Sequence, residues 1–119
     1  LTKELYKLSC LDNDNNEKSS LNFTIWREAD NSIQGNISLE TVYTKEEYRG
    51  KGFASKLIAY LKGIATSENK RTGISVYIHP MSEDIIFDDL IAFYDKNSFI
   101  ITIIDDTEAL GSWPKKVKC

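Results

Sequence analysis

The chain has one histidine, His79, and two cysteines, Cys10 and Cys119, near its opposite ends. No Cys-x-x-Cys pair or Cys/His cluster occurs, so the side chains that would hold zinc or an iron–sulfur cluster are missing as a set. The same scarcity predicts free thiols in a reducing cytoplasm, not a disulfide framework. No apolar run approaches the length of a membrane span, and no leader pattern opens the chain. Positive charge is in deficit: 15 Lys and Arg stand against 18 Asp and Glu, a net charge of -3. That balance argues against broad binding to nucleic acid or anionic membrane, although a basic tip, Lys115-Lys116-Val117-Lys118, closes the sequence. A cytoplasmic protein without membrane or nucleic-acid partners is expected.

What is present is ordinary for a folded chain. Hydrophobic residues make up 41% and charged residues 28% of 119 positions, enough for one domain over 1–119. Glu4 to Leu11 reads as a first strand, and the Asn-rich stretch Asp12 to Ser20 as a loop. Leu21, Phe23 and Ile25 alternate with polar neighbours, a second strand, and Ala29 to Ser32 turns the chain. Ile37, Leu39, Thr41 and Tyr43 define a third strand, antiparallel to the others. Ile74, Val76 and Ile78 form a further strand ended by Pro80, which a right-handed crossover lays parallel to the third. Asp88 is a candidate N-cap for a second helix carrying Phe87, Leu90, Ile91 and Tyr94 on one face. Phe99 to Ile104 reads as the last core strand, and everything from Asp105 onward as polar. The fold class is therefore α/β (α+β), with a mixed, mostly antiparallel central sheet.

The sequence is organised around Tyr48-Arg49-Gly50-Lys51-Gly52-Phe53-Ala54, which joins the third strand to a helix running to about Ser67. Ala54, Leu57, Ile58, Leu61, Ile64 and Ala65 recur at helical steps on one face. A glycine loop opening into a helix gathers unpaired N–H groups at the positive end of the helix dipole, where an anion can sit. Gly50 and Gly52 spare the backbone a Cβ, and Arg49 and Lys51 add charge. The loop lacks the third glycine of a dinucleotide fingerprint and the Gly-Lys-Ser/Thr of a P-loop.

Arg49-x-x-Gly52-x-Ala54 resembles the coenzyme A pyrophosphate loop of the GNAT family of N-acetyltransferases. Ala92-Phe93-Tyr94-Asp95-Lys96-Asn97-Ser98-Phe99 resembles the family's later helix ending, and the strand–loop–helix–strand–helix–strand order agrees. The likeness spans roughly residues 21 to 104. The His79-Pro80 strand end with Asp89-Leu90-Ile91-x-Phe93-Tyr94 also resembles a subset of very small members. The resemblance implies acetyl-CoA as cofactor and transfer of its acetyl group directly to a primary amine, on a small molecule or on a protein lysine or N-terminus. It implies that the pyrophosphate sits on the amides of Arg49, Gly50, Lys51, Gly52, Phe53 and Ala54. The backbone of Val42 and Thr44 would bond the thioester and its pantetheine arm where two strands splay, and a bulge is expected there.

Tyr94 is the candidate proton donor to the leaving thiolate, or else it only completes an apolar stripe. Glu40 is the candidate base for the acceptor amine, with His79 as a second; either could instead be structural. Three positions depart from the pattern. Ser98 replaces a glycine, so Asn97 is expected to take the left-handed position at the helix end. Phe87 stands where many members bond the arm through asparagine. The N-terminal part leaves little room for the two helices that usually shape the acceptor pocket. A non-catalytic acyl-CoA-binding regulatory module is the alternative, and a homodimer is possible on either reading.

Overall fold

The structure is a computed structural model that describes residues 1–68 and 72–113. Six strands form one sheet: β1 (Thr2–Leu11), β2 (Glu17–Arg27), β3 (Ile37–Thr44), β4 (Ile74–Ile78), β5 (Ile100–Ile103) and β6 (Ala109–Trp113). Helix α1 (Phe53–Glu68) lies between β3 and β4, and α2 (Phe87–Lys96) between β4 and β5. The sheet order is β1-β2-β3-β4-β6-β5. Only the β3–β4 pair is parallel, as the crossover through α1 requires.

Both helices pack on one face of the sheet. Leu57, Ile58, Leu61 and Ala65 of α1 bury against Leu21, Phe23, Ile37, Leu39 and Ile74, and Tyr94 of α2 joins the same core with Phe99 and Ile78. The helices are also tied to each other: the Lys62 ammonium donates to the Asn97 carbonyl, and the Asn97 amide donates to Ser55 Oγ at 3.2 Å.

Several expectations are corrected. The Asn-rich loop shrinks to a turn over residues 12–16, in which Asp12 Oδ1 accepts from the Asp14 and Asn16 amides at 2.8 and 2.9 Å. Strand β2 therefore starts at Glu17, four residues before the apolar alternation that marks it in the sequence. Its polar start is consumed inside the sheet: buried Ser19 bonds the Tyr43 carbonyl at 2.9 Å and Thr44 Oγ1 at 2.8 Å. Asp88 does not cap α2, which starts at Phe87 behind Ile86 without a side-chain cap; Asp88 and Asp89 serve its dipole from within the first turn.

At the other end of α2 it is Ser98 that adopts the left-handed conformation (φ 69°), while Asn97 stays at φ -91°. Asn97 is held there because its side-chain amide donates to the Phe93 carbonyl at 2.8 Å and to Ser55.

The strand expected to be the last core element, β5, is the sheet edge, and Ile103 is 55% exposed. The segment read as polar supplies β6, which inserts between β4 and β5 and puts Ala109 and Gly111 against the core. The basic tip and Cys119 lie outside the described residues, as does the middle of the Glu68–Gly73 connector.

Candidate active site

The parallel pairing of β3 with β4 covers only Ile37–Ile74, Ser38–Ser75 and Leu39–Val76. Beyond Leu39, β3 runs on to Thr44 and β4 to Ile78 without pairing, so the two strands part. The expected bulge sits at the parting point: Asn22 opposes Thr41 and Phe23 opposes Leu39, leaving Glu40 as the extra residue. Past the bulge, the Tyr43 carbonyl accepts from Ser19 Oγ, and the Lys45 N–H donates to the Lys18 carbonyl at 3.0 Å. Residues 43 and 45 thus turn their peptide groups toward β2. By strand alternation, those of Val42 and Thr44 face the gap.

A cavity of about 540 Å³ opens beside the gap on the helix face, between the start of α1 and one side of α2. Val42, Thr44, Arg49, Gly50, Gly52, Phe53, Ala54 and Tyr94 all line it. Eight of the ten sequence-expected site residues therefore meet at one cavity. The first bond into α1 runs from the Lys56 N–H to the Gly52 carbonyl at 3.0 Å, so the amides of residues 52–55 lack partners within the helix. Gly50 and Gly52 hold φ of +77° and +84° with open space where a Cβ would lie. They are needed for conformation before any question of room for a ligand.

Arg49 Nε donates to the Thr44 carbonyl at 3.1 Å, and its Nη1 lies 3.7 Å from Asp84 on the opposite wall. Lys51 is exposed, off the cavity wall, with its ammonium 5.8 Å from the Tyr48 ring. Lys18, placed in a loop by sequence reasoning, arrives from β2 with its ammonium 4.7 Å from the Phe53 ring. Lys56 is 5.7 Å from the same ring, so cations crowd the first turn of α1 and complement its dipole for an anion. Nothing in local spacing could have revealed Lys18; only the register of β2 brings it there.

Tyr94 is 6% exposed, and burial pushes its phenol up to about 12. It is neutral at physiological pH and has a proton to donate. Glu40 and His79 do not line the cavity. Glu40 is exposed on the bulge, and His79 follows β4 with its ring 4.6 Å from Tyr77, two residues earlier on the same side of the strand. Tyr77 points away from the core and its hydroxyl donates to the Glu108 carboxylate, a contact that no local spacing marks. Phe87 packs partly buried against the core.

Residues 21–99 match the model of the acetyltransferase (GNAT) family. The chain belongs to that family of acetyltransferases. Among solved structures it is similar to the anti-CRISPR protein AcrVA5, with TM-score 0.68 and 21% identity over 92% of this chain and 98% of that one. It is also similar to an acetyltransferase from Bacillus cereus, with TM-score 0.66 and 14% identity over 92% of this chain and 71% of that one. Naa50 of Arabidopsis thaliana, in complex with the bisubstrate analogue CoA-Ac-MVNAL, gives TM-score 0.64 and 18% identity over 83% of this chain and 66% of that one. No curated protein matches the chain in sequence. No helix among the described residues is long and apolar enough to cross a membrane.

Proposed function

We propose that the chain is an acetyl-CoA-dependent N-acetyltransferase that moves the acetyl group directly to a primary amine. The observation that carries this reading is the parting of β3 and β4 directly beside the cavity at the start of α1. The gap offers peptide groups of Val42 and Thr44 that are unpaired with β4, the Thr44 carbonyl being held by Arg49, to an extended, amide-bearing arm that would take the place of the missing strand pairing. The amides of residues 52–55, with Arg49, Lys51, Lys18 and Lys56 around them, suit a pyrophosphate. The residues present thus fit coenzyme A, which when bound supplies an activated thioester.

The chain's own groups divide the work. Peptide N–H groups of β3 would hold the oxygen of a bound thioester and would stabilise negative charge gathering there. From α2, the Tyr94 hydroxyl would donate a hydrogen bond to the sulfur of a bound thioester as it departs. Glu40 or His79, on the opposite side of the sheet, takes the proton an ammonium must lose before its nitrogen can attack. Most of the acceleration comes from holding amine and thioester together.

The β1–β2 turn carries no helix to shape an acceptor pocket, and this favours, as a second reading, a regulatory module that binds acyl-CoA without turnover. Titrating acetyl-CoA into the protein by calorimetry, with coenzyme A alongside, tests both. One-site binding lost in Gly52→Asp supports the cradle, and release of free thiol with an amine present separates enzyme from module. Absence of binding at high ligand concentration sinks both.

A further inference from the structure

α1 and α2 share one face of the sheet, and no described element covers the other. On that bare face, strand pairing aligns Thr24 with Ser38, Ser38 with Ser75, and Ser75 with Ser112. A row of four small hydroxyl residues thus crosses four neighbouring strands. Ser38, Ser75 and Ser112 of that row floor a groove of about 460 Å³ whose wall beside the gap is Tyr77 and Leu110; Thr24 is buried and lies off the groove, and Ser75 Oγ accepts from the Asn36 side-chain amide at 2.8 Å. A sheet face meant for burial under a helix would carry aliphatic side chains in this row. Hydroxyls instead fit an occupant that brings its own hydrogen-bonding groups.

The groove lies one step from the gap. Two residues along a strand span about 7 Å, and an extended lysine side chain reaches about 6 Å from its Cα. A chain lying in the hydroxyl row would therefore deliver a lysine amine past Tyr77 to the mouth of the gap, whereas a small amine there would not touch the groove. The charge at that end is negative: Glu40 stands on the bulge, and Asp105, Asp106 and Glu108 in the β5–β6 turn. Among the described residues, the cations of this face are Lys3 and Lys7, which sit on the distant edge strand, occupied with Trp26 and Glu17.

We infer that this groove docks an extended basic segment of another protein, and that a lysine of that segment is the acceptor. The inference rests on the acetyltransferase reading above and narrows its acceptor. Lysine-centred peptides with blocked termini and either arginine or glutamate flanks are the probes, with a simple diamine as the small amine.

Amide chemical shifts of the whole chain, recorded on adding the arginine-flanked peptide, should move along Ser38, Ser75, Tyr77 and Ser112. With acetyl-CoA, that peptide should be acetylated at least about tenfold more efficiently than the glutamate-flanked one or the diamine. Ser112→Trp should abolish the shifts and the preference while leaving diamine acetylation and calorimetric cofactor binding intact; Ser75→Trp should repeat this from the neighbouring strand. Shifts elsewhere, equal use of all three amines, or a dimer in sedimentation that closes this face would overturn the proposal. Failure of the underlying reading would look different, because the cofactor titration itself would be flat while the peptide shifts persisted.

Discussion

Replacing Tyr94 with phenylalanine removes one hydroxyl from the cavity wall, and the structure sets the size of the effect. The phenol is buried and pushed up to about 12, whereas a simple thiol ionises at about 8.5. Handing the proton over completely to the departing thiolate would therefore run uphill by about 5 kcal/mol. The hydroxyl does better by donating a hydrogen bond to the sulfur as negative charge gathers there. Hydrogen bonds to charged groups contribute about 1.5–3 kcal/mol, so kcat in Tyr94→Phe should fall between about 10- and 150-fold. Acetyl-CoA binding should barely change, since that charge is absent before reaction.

The assay is thiol release against acceptor concentration from pH 6 to 9, with calorimetry for the cofactor. The drop in kcat should be constant across that range, because Tyr94 does not titrate within it. Unchanged kcat would reduce Tyr94 to a packing residue. A loss beyond about 10⁴-fold would mean that full proton transfer occurs after all and that the cofactor lowers the phenol on binding.

Gly111→Ala puts a Cβ 2.8 Å from Val76 Cγ1 and 3.2 Å from Ile78 Cδ1, both on β4, so urea unfolding should show a loss of about 1–3 kcal/mol. Gly52→Ala meets open space but must hold φ +84°, which costs about 1–2 kcal/mol in the same assay and should also weaken coenzyme A binding. In alkali, the raised Tyr94 contributes stability that is complete below its ordinary value of 10.0 and is lost as pH climbs through about 12. Unfolding followed by circular dichroism should show about 3 kcal/mol disappearing over that window in the parent chain and not in Tyr94→Phe.

The sequence showed most clearly what depends on side-chain periodicity. Leu21, Phe23 and Ile25, the α1 stripe, and Ile74, Val76 and Ile78 all lie where their spacing placed them. The parallel crossover followed from the strand–loop–helix–strand order, and the parting at β3 was expected only from the likeness to the acetyltransferase family. Where a role rests on a missing side chain, the pattern is silent. β6 enters the core through Gly111, whose value is that Val76 and Ile78 occupy the room a Cβ would need. The hydroxyl row was hidden for a different reason. Each of its members reads as the polar half of an ordinary alternation, and only the register between strands aligns them.

Register also explains why the cavity exists. The Ile37 N–H donates to the Gly73 carbonyl at 2.9 Å, so the odd residues at the start of β3 turn their peptide groups toward β4. Uninterrupted alternation would keep residues 41 and 43 pointing that way, and would swing the Tyr43 side chain onto the helix face together with Leu39. A phenol ring there would fill the space between α1 and α2. The extra residue at Glu40 reverses the phase: Tyr43 turns outward, 53% exposed, and Val42 and Thr44 line the cavity with their peptide groups toward the gap. One inserted position thus accompanies the parting of the strand pair and turns its backbone toward the gap, and its own carboxylate is left exposed, off the cavity wall. The side-chain identity of residue 40 and the count of residues in β3 are consequently separate requirements. Glu40→Gln touches only the first, leaving the register, and with it the cavity, as it is.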